Sequence, residues 1–176
     1  MKLFKIFLIL FIIIVLFYLG SLFFPNTYYI NRSVTINKPV DSVFYFMSDL
    51  RNWEKWSLWN KETDSTLVNI YGKRSDSIGG RQYFEGKVLG EGRFLIDRYE
   101  HNKMLGYNLY MNKGNINANG KFEFVAVNPQ SSELHWIDSG DVGNNPIFRY
   151  MMNNKVKSTE KVFDEGLARI KTAIEN

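Results

Sequence analysis

Catalysis needs side chains that titrate, attack or ligate, and this chain holds few of them at useful spacings. His101 and His135 are its two histidines, and it has no cysteine. A serine nucleophile needs a histidine base within reach. His101, however, falls in the turn pattern His101-Asn102-Lys103, and His135 falls on a strand beside Trp136, where it suits the surface face. Two histidines far apart and without thiolates do not make a metal-ligand set, so neither a metal nor a cofactor is expected. Glu54, Glu85, Asp138 and Asp141 could serve as general acid or base if buried beside a cavity, but carboxylates at strand ends and in loops are ordinarily solvated. Asp141 better suits the turn before the last helix. Gly72-Lys73-Arg74-Ser75 only faintly resembles a phosphate loop, and the position where that motif needs its leading glycine is Leu67. It reads as a turn, and no catalytic residue is assigned.

What the chain supplies instead is aromatic surface. Trp53, Trp56 and Trp59 lie within seven residues of one another. Rings beside a cavity mouth give an apolar or ring-shaped ligand a large contact area; alternatively they pin a short helix to a sheet, which suits Trp53 and Trp56 better than Trp59. Tyr83, Phe94, Tyr107, Phe122, Phe124 and Trp136 could all face inward from strands. One sheet face carries both core and cavity, so the pattern alone does not separate them. Met104, Met111, Met151 and Met152 fit either an adaptable pocket or ordinary core filling.

The elements that position these residues follow from periodicity. Asn145 before Pro146 is a helix start, an amide that can cap free N–H groups followed by a proline whose missing donor costs nothing there. Phe148, Met152, Val156, Phe163, Leu167, Ile170 and Ile174 follow at spacings of three, four and seven, one apolar stripe on a helix of roughly 45 Å. So long a stripe needs a long partner. Six strand-like segments, near 66–71, 80–85, 91–99, 103–112, 118–127 and 132–138, provide it as an antiparallel meander with one apolar face. Tyr28 to Ile36 alternates as a first strand, Pro39 opens a helix with Val40, Val43, Phe44 and Met47 on one side, and Asp49 can cap a short helix running through Trp56.

These residues carry a resemblance. Arg32-Ser33-Val34-Thr35-Ile36-Asn37, Pro39, Val43-Phe44 and Asp49 to Ser57 resemble the opening of the SRPBCC superfamily. Gly90-Glu91-Gly92, Trp136, Gly140-Asp141, Asn145-Pro146 and Phe163 to Leu167 resemble its polyketide cyclase/dehydrase-type branch, which includes membrane-tethered members. The resemblance covers about residues 27–175 and rests mostly on structural motifs. It implies the helix-grip fold shared with START lipid-transfer domains and the birch pollen allergen: an α+β fold, β-α-α-β6-α, in which a bent sheet of seven strands and a long C-terminal helix enclose a hydrophobic cavity.

Ahead of this domain, Ile6 to Phe24 are nineteen residues without a charge, enough to span a bilayer core of roughly 30 Å. A cleaved signal peptide usually has an apolar stretch of about 7–15 residues and then a small-x-small site, which Gly20 to Pro25 does not provide. Residues 1–25 are therefore expected to be a transmembrane anchor and residues 26–176 one domain. Lys2 and Lys5 precede the anchor, whereas Arg32 and Lys38 lie further beyond it, so a cytoplasmic N-terminus and an extracytoplasmic domain are expected. The net charge of +4 falls to +2 without Lys2 and Lys5, and basic and acidic residues interleave, which excludes a nucleic-acid footprint.

The sequence thus points to a membrane-tethered module holding a lipid-like or other hydrophobic small molecule, with no protein partner identified. The expected cavity is lined by Trp59, Tyr83, Phe94, Tyr107 and Trp136, and from the helix by Phe148, Met151 and Met152. A cyclase-like enzyme in the same cavity would need polar groups inside it. A protein-interaction domain would instead have a filled interior and an exposed apolar patch.

Overall fold

The computed structural model describes residues 2–111, 116–141 and 143–176. It contains α1 (Lys2–Ser21), β1 (Thr27–Ile36), α2 (Val40–Ser48), a 3₁₀ helix (Leu50–Lys55), β2 (Val68–Tyr71), β3 (Arg81–Gly86), β4 (Gly90–Glu100), β5 (Met104–Met111), β6 (Ile116–Asn128), β7 (Ser131–Asp141) and α3 (Pro146–Glu175). The chain divides into two compact units, Met1–Tyr29 with Ser139–Thr159 and Ile30–Asp138 with Glu160–Asn176.

The second unit is built on the expected antiparallel sheet, its strands in the order β1-β7-β6-β5-β4-β3-β2. Consecutive strands from β2 to β7 pair as neighbours, since their connections are short, and a register shift between Ile96 and Arg98 bends β4 against β5. Alternation places Phe84, Phe94, Ile96, Leu105, Phe122 and Leu134 on the buried face. Against that face α2 turns Val43, Phe44 and Met47, and the Phe44 ring meets Phe124 edge-on at 5.0 Å. Asp49 caps the 3₁₀ helix by accepting the Arg51 N–H at 3.0 Å, and the Trp53 indole donates to the Met47 carbonyl at 2.8 Å, which fixes the bend between the two helices.

The second half of α3 buries Phe163, Leu167 and Ile170, the spacing its stripe predicts. Its outer side is tied to β1: Arg32 makes two hydrogen bonds to the Asp164 carboxylate at 2.7 and 2.8 Å, and Lys171 Nζ donates to the Thr35 carbonyl at 2.8 Å.

In the first unit, α1 is long and apolar enough over Leu3–Ser21 to cross a membrane. The start of α3 is capped as expected, with Asn145 Oδ1 accepting the Ile147 N–H at 3.0 Å. Asp141 Oδ1 accepts the Gly143 N–H at 2.6 Å and so shapes the preceding turn, where Gly143 adopts a φ of +63°.

Candidate ligand cavity

The second unit holds a partly open cavity of about 180 Å³. Its sheet wall is Phe94, Tyr107 and Leu109, then Ala118, Asn119, Trp136 and Asp138; its other walls are the segment Trp53 to Trp59 and the α3 residues Val162, Phe163, Gly166 and Arg169. All four tryptophans of the chain, Trp53, Trp56, Trp59 and Trp136, therefore border one space. The rings hold one another edge to face: Trp53 on Tyr107 at 5.3 Å and 89°, Trp56 on Trp136 at 5.4 Å and 89°, Trp59 on Phe94 at 4.9 Å and 90°. This is the favoured arrangement of aromatic quadrupoles.

The helix wall depends on a glycine. Phe163 stacks on Trp136 with centroids 4.0 Å apart and planes 8° from parallel. One turn on, a Cβ at Gly166 would come within 2.6 Å of the Trp136 ring. A glycine inside a helix costs about 1 kcal/mol relative to alanine. Here it lets the indole lie against the helix backbone.

Polar groups are few but present. Trp136 Nε1 donates to the Tyr107 hydroxyl at 2.9 Å. The indole nitrogens of Trp56 and Trp59 are buried and have no acceptor among the described residues. Asp138 is half-buried on the wall, and Glu165 and Arg169 are exposed at its rim. Arg169 forms no ion pair among the described residues. Nor does any group of three or more histidine and carboxylate side chains there form a metal site.

Of the residues expected to line the cavity, Trp59, Phe94, Tyr107 and Trp136 come together in it. Tyr83 does not, because alternation along β3 turns it to the outer face while Gln82 and Phe84 are buried. There it joins Val68, Ile70, Arg93 and Tyr110 in a shallower, more open depression of about 450 Å³. That trough is the larger of the two, but its more open shape removes less of a ligand from water than the aromatic cavity does. Phe148 and Met151 are 51% and 47% exposed and Met152 is buried, and all three belong to the first unit. The helix residues bordering the cavity are Val162, Phe163, Glu165, Gly166 and Arg169, which sequence reasoning did not select as lining. A glycine in the middle of an apolar stripe was the available signal. Trp53 and Trp56 both pin and line: their rings are on the wall while the Trp53 N–H holds α2.

The remaining chemical candidates lie elsewhere. Glu54 accepts the Tyr71 hydroxyl, and burial together with that carboxylate holds the phenol well above its ordinary pKa. Glu85 borders the outer trough. His135 faces Asn31 and Glu133, and His101 sits 3.4 Å from Asp41.

An antiparallel sheet gripping a C-terminal helix over an aromatic cavity is the helix-grip fold. The Aha1 dimer from Colwellia psychrerythraea is similar with a TM-score of 0.59 at 14% identity, over 84% of this chain and 96% of that one. The di-domain ARO/CYC BexL of the BE-7585A biosynthetic pathway is similar with a TM-score of 0.59 at 12% identity, over 84% of this chain and 46% of that one. Ara h 8.0201 is similar with a TM-score of 0.54 at 10% identity, over 83% of this chain and 99% of that one. No family model matches the chain, and no curated protein matches it in sequence.

Proposed function

We propose that this chain is a membrane-tethered binding module that holds a small hydrophobic molecule in its aromatic cavity. The observation that carries the reading is the partly open space of about 180 Å³ bordered by all four tryptophans. A cavity of about 150 Å³ admits benzene, so this one suits one or two fused rings or a short alkyl segment. Burying about 300 Å² of apolar ligand surface at about 25 cal/mol per Å² yields roughly 7 kcal/mol before the cost of association. Affinities are then micromolar or weaker. The ligand-contacting residues in this reading are Trp59, Phe94, Tyr107, Trp136, Phe163 and Gly166. The first 25 residues serve as the anchor and residues 26–176 as the domain, with the N-terminus in the cytoplasm.

The placement of the tryptophans makes the test direct. The full chain in lipid nanodiscs would be titrated with short-chain fatty acids, single-ring phenols and two-ring naphthols while tryptophan emission is followed. Saturable change with one class is expected, and Ala118→Phe, a bulky ring at an exposed lining position, should weaken it about tenfold without altering the melting curve. An absence of saturable change with all three classes would overturn the reading.

A second reading, a cyclase-like enzyme, is favoured by Asp138 and the Tyr107 hydroxyl beside the same cavity. Turnover of a polyketide-like substrate that Asp138→Asn abolishes without weakening binding would select it.

A further inference from the structure

Three large apolar side chains at the start of α3 are turned to solvent: Ile147, Phe148 and Met151 are 56%, 51% and 47% exposed. Their neighbours are not. Arg149 is 8% exposed, and its guanidinium donates to the Gly143 carbonyl and Asn144 Oδ1 at 3.0 Å. The exposure is therefore a property of one helix face and not of a frayed end.

That face belongs to the same compact unit as α1, and Tyr150 ties the two together. Its ring stacks on Phe17 at 4.8 Å and 28° and meets Phe24 at 4.8 Å, and its hydroxyl donates to the Phe17 carbonyl at 3.0 Å. The ring passes over Gly20, where a Cβ would collide with the tyrosine hydroxyl. Phe17 is four residues, about 6 Å, from the end of α1 at Ser21. Tyrosine is enriched at that depth, the edge of the hydrocarbon. Just past α1, Leu22, Phe23 and Phe24 are 51%, 90% and 41% exposed. Along α3, Lys155 follows Phe148 by seven residues and Met151 by four, which puts it on their face. Lys155 is exposed and forms no ion pair among the described residues.

We propose that the first two turns of α3 lie in the bilayer interface on the leaflet where α1 ends. Ile147, Phe148 and Met151 enter the acyl boundary, Tyr150 docks on the anchor, and Lys155 reaches anionic headgroups. Apolar and aromatic residues with a lysine beyond them are the chemistry of an interfacial helix. Continuity with α1 identifies the occupant of this face as lipid and not a second protein. The inference rests on the tethered reading of α1.

The absence of cysteine allows single probes without background. Full-length chains carrying Leu10→Cys, Phe148→Cys or Met151→Cys, each with an NBD label, would be reconstituted into vesicles of phosphatidylcholine and phosphatidylglycerol. Lipids with a nitroxide near the glycerol or deep in the chain would then be added, and aqueous iodide to parallel samples. The expected result is quenching of at least about twofold at 148 and 151 by the shallow nitroxide, and at 10 by the deep one. Quenching by lipid at 10, with 148 and 151 open to iodide alone, overturns the interfacial assignment and leaves the tether standing. An absence of lipid quenching at 10 overturns both.

Discussion

Phe163→Ala acts where α3 forms the wall of the cavity. The ring is 6% exposed and lies parallel to Trp136 at 4.0 Å. Truncating a buried phenylalanine costs about 3–5 kcal/mol, of which the aromatic pair accounts for about 0.5–1.5 kcal/mol beyond its buried area. Alanine returns about half a kcal/mol of helix propensity. The ring borders the cavity, so few side chains stand close enough to close over the lost volume, and the expected net loss is about 3–4 kcal/mol. Against a typical domain stability of about 5–15 kcal/mol, that loss is large. Urea melts of the full chain in micelles, followed by tryptophan emission, should show the midpoint fall by about 1–3 M at ordinary slopes. Lys161→Ala, at an exposed position, should stay within about 0.5 kcal/mol of the parent. If the two variants melt alike, the second half of α3 does not rest on Trp136 and the cavity has no helix wall.

Leu167→Ala, at a position 2% exposed, should cost about 2–5 kcal/mol in the same melts. Arg32→Ala should leave the melting midpoint nearly unchanged, since both partners of the Asp164 pair are nearly half exposed and solvent screens them. Asp64 accepts hydrogen bonds from the Thr66 hydroxyl and the Leu89 and Val88 N–H groups, which hold its pKa down to about 2. A depressed carboxylate stabilises the fold above its unfolded pKa of about 3.9 and loses that effect as pH falls toward the folded value. Asp64→Asn should therefore be less stable than the parent at neutral pH and show a flatter decline between about pH 4 and 2 in acid melts. Protease shaving of intact cells should cleave the domain, and N-terminal sequencing should find residues 6–24 retained; a domain cleaved only after lysis would reverse the topology.

The sheet, the two short helices and the long helix were legible because their periods are clean and their turns carry glycine, asparagine and proline. The details that failed have local causes. β3 reads Gln82-Tyr83-Phe84, with an aromatic residue at both parities, so alternation could not say which one faces inward. The inward set contains a glutamine, fully buried and donating to Asn69 Oδ1 at 3.0 Å, a choice that hydropathy does not anticipate. Along α3, the stripe defined the face but not the depth at which a cavity opens, so Phe148, Met151 and Met152 were selected several turns before Phe163 and Gly166. The bond from Lys171 to the Thr35 carbonyl was not legible either, because a lysine stem reaches neighbours that no spacing rule encodes.

The interlocked rings of the cavity have a consequence for selection among ligands. Each indole or phenyl has two side-chain torsions, and Trp53 alone is held by Trp56, Phe94, Tyr107 and Phe122. No single ring can rotate to fill the space without displacing its neighbours, so the hollow keeps its outline when empty. A guest must then fit a mould that does not adapt. Flat, stiff molecules enter it with little loss of internal freedom, whereas a flexible chain of equal apolar area must freeze rotor after rotor. At matched hydrophobicity, the cavity should prefer the rigid one.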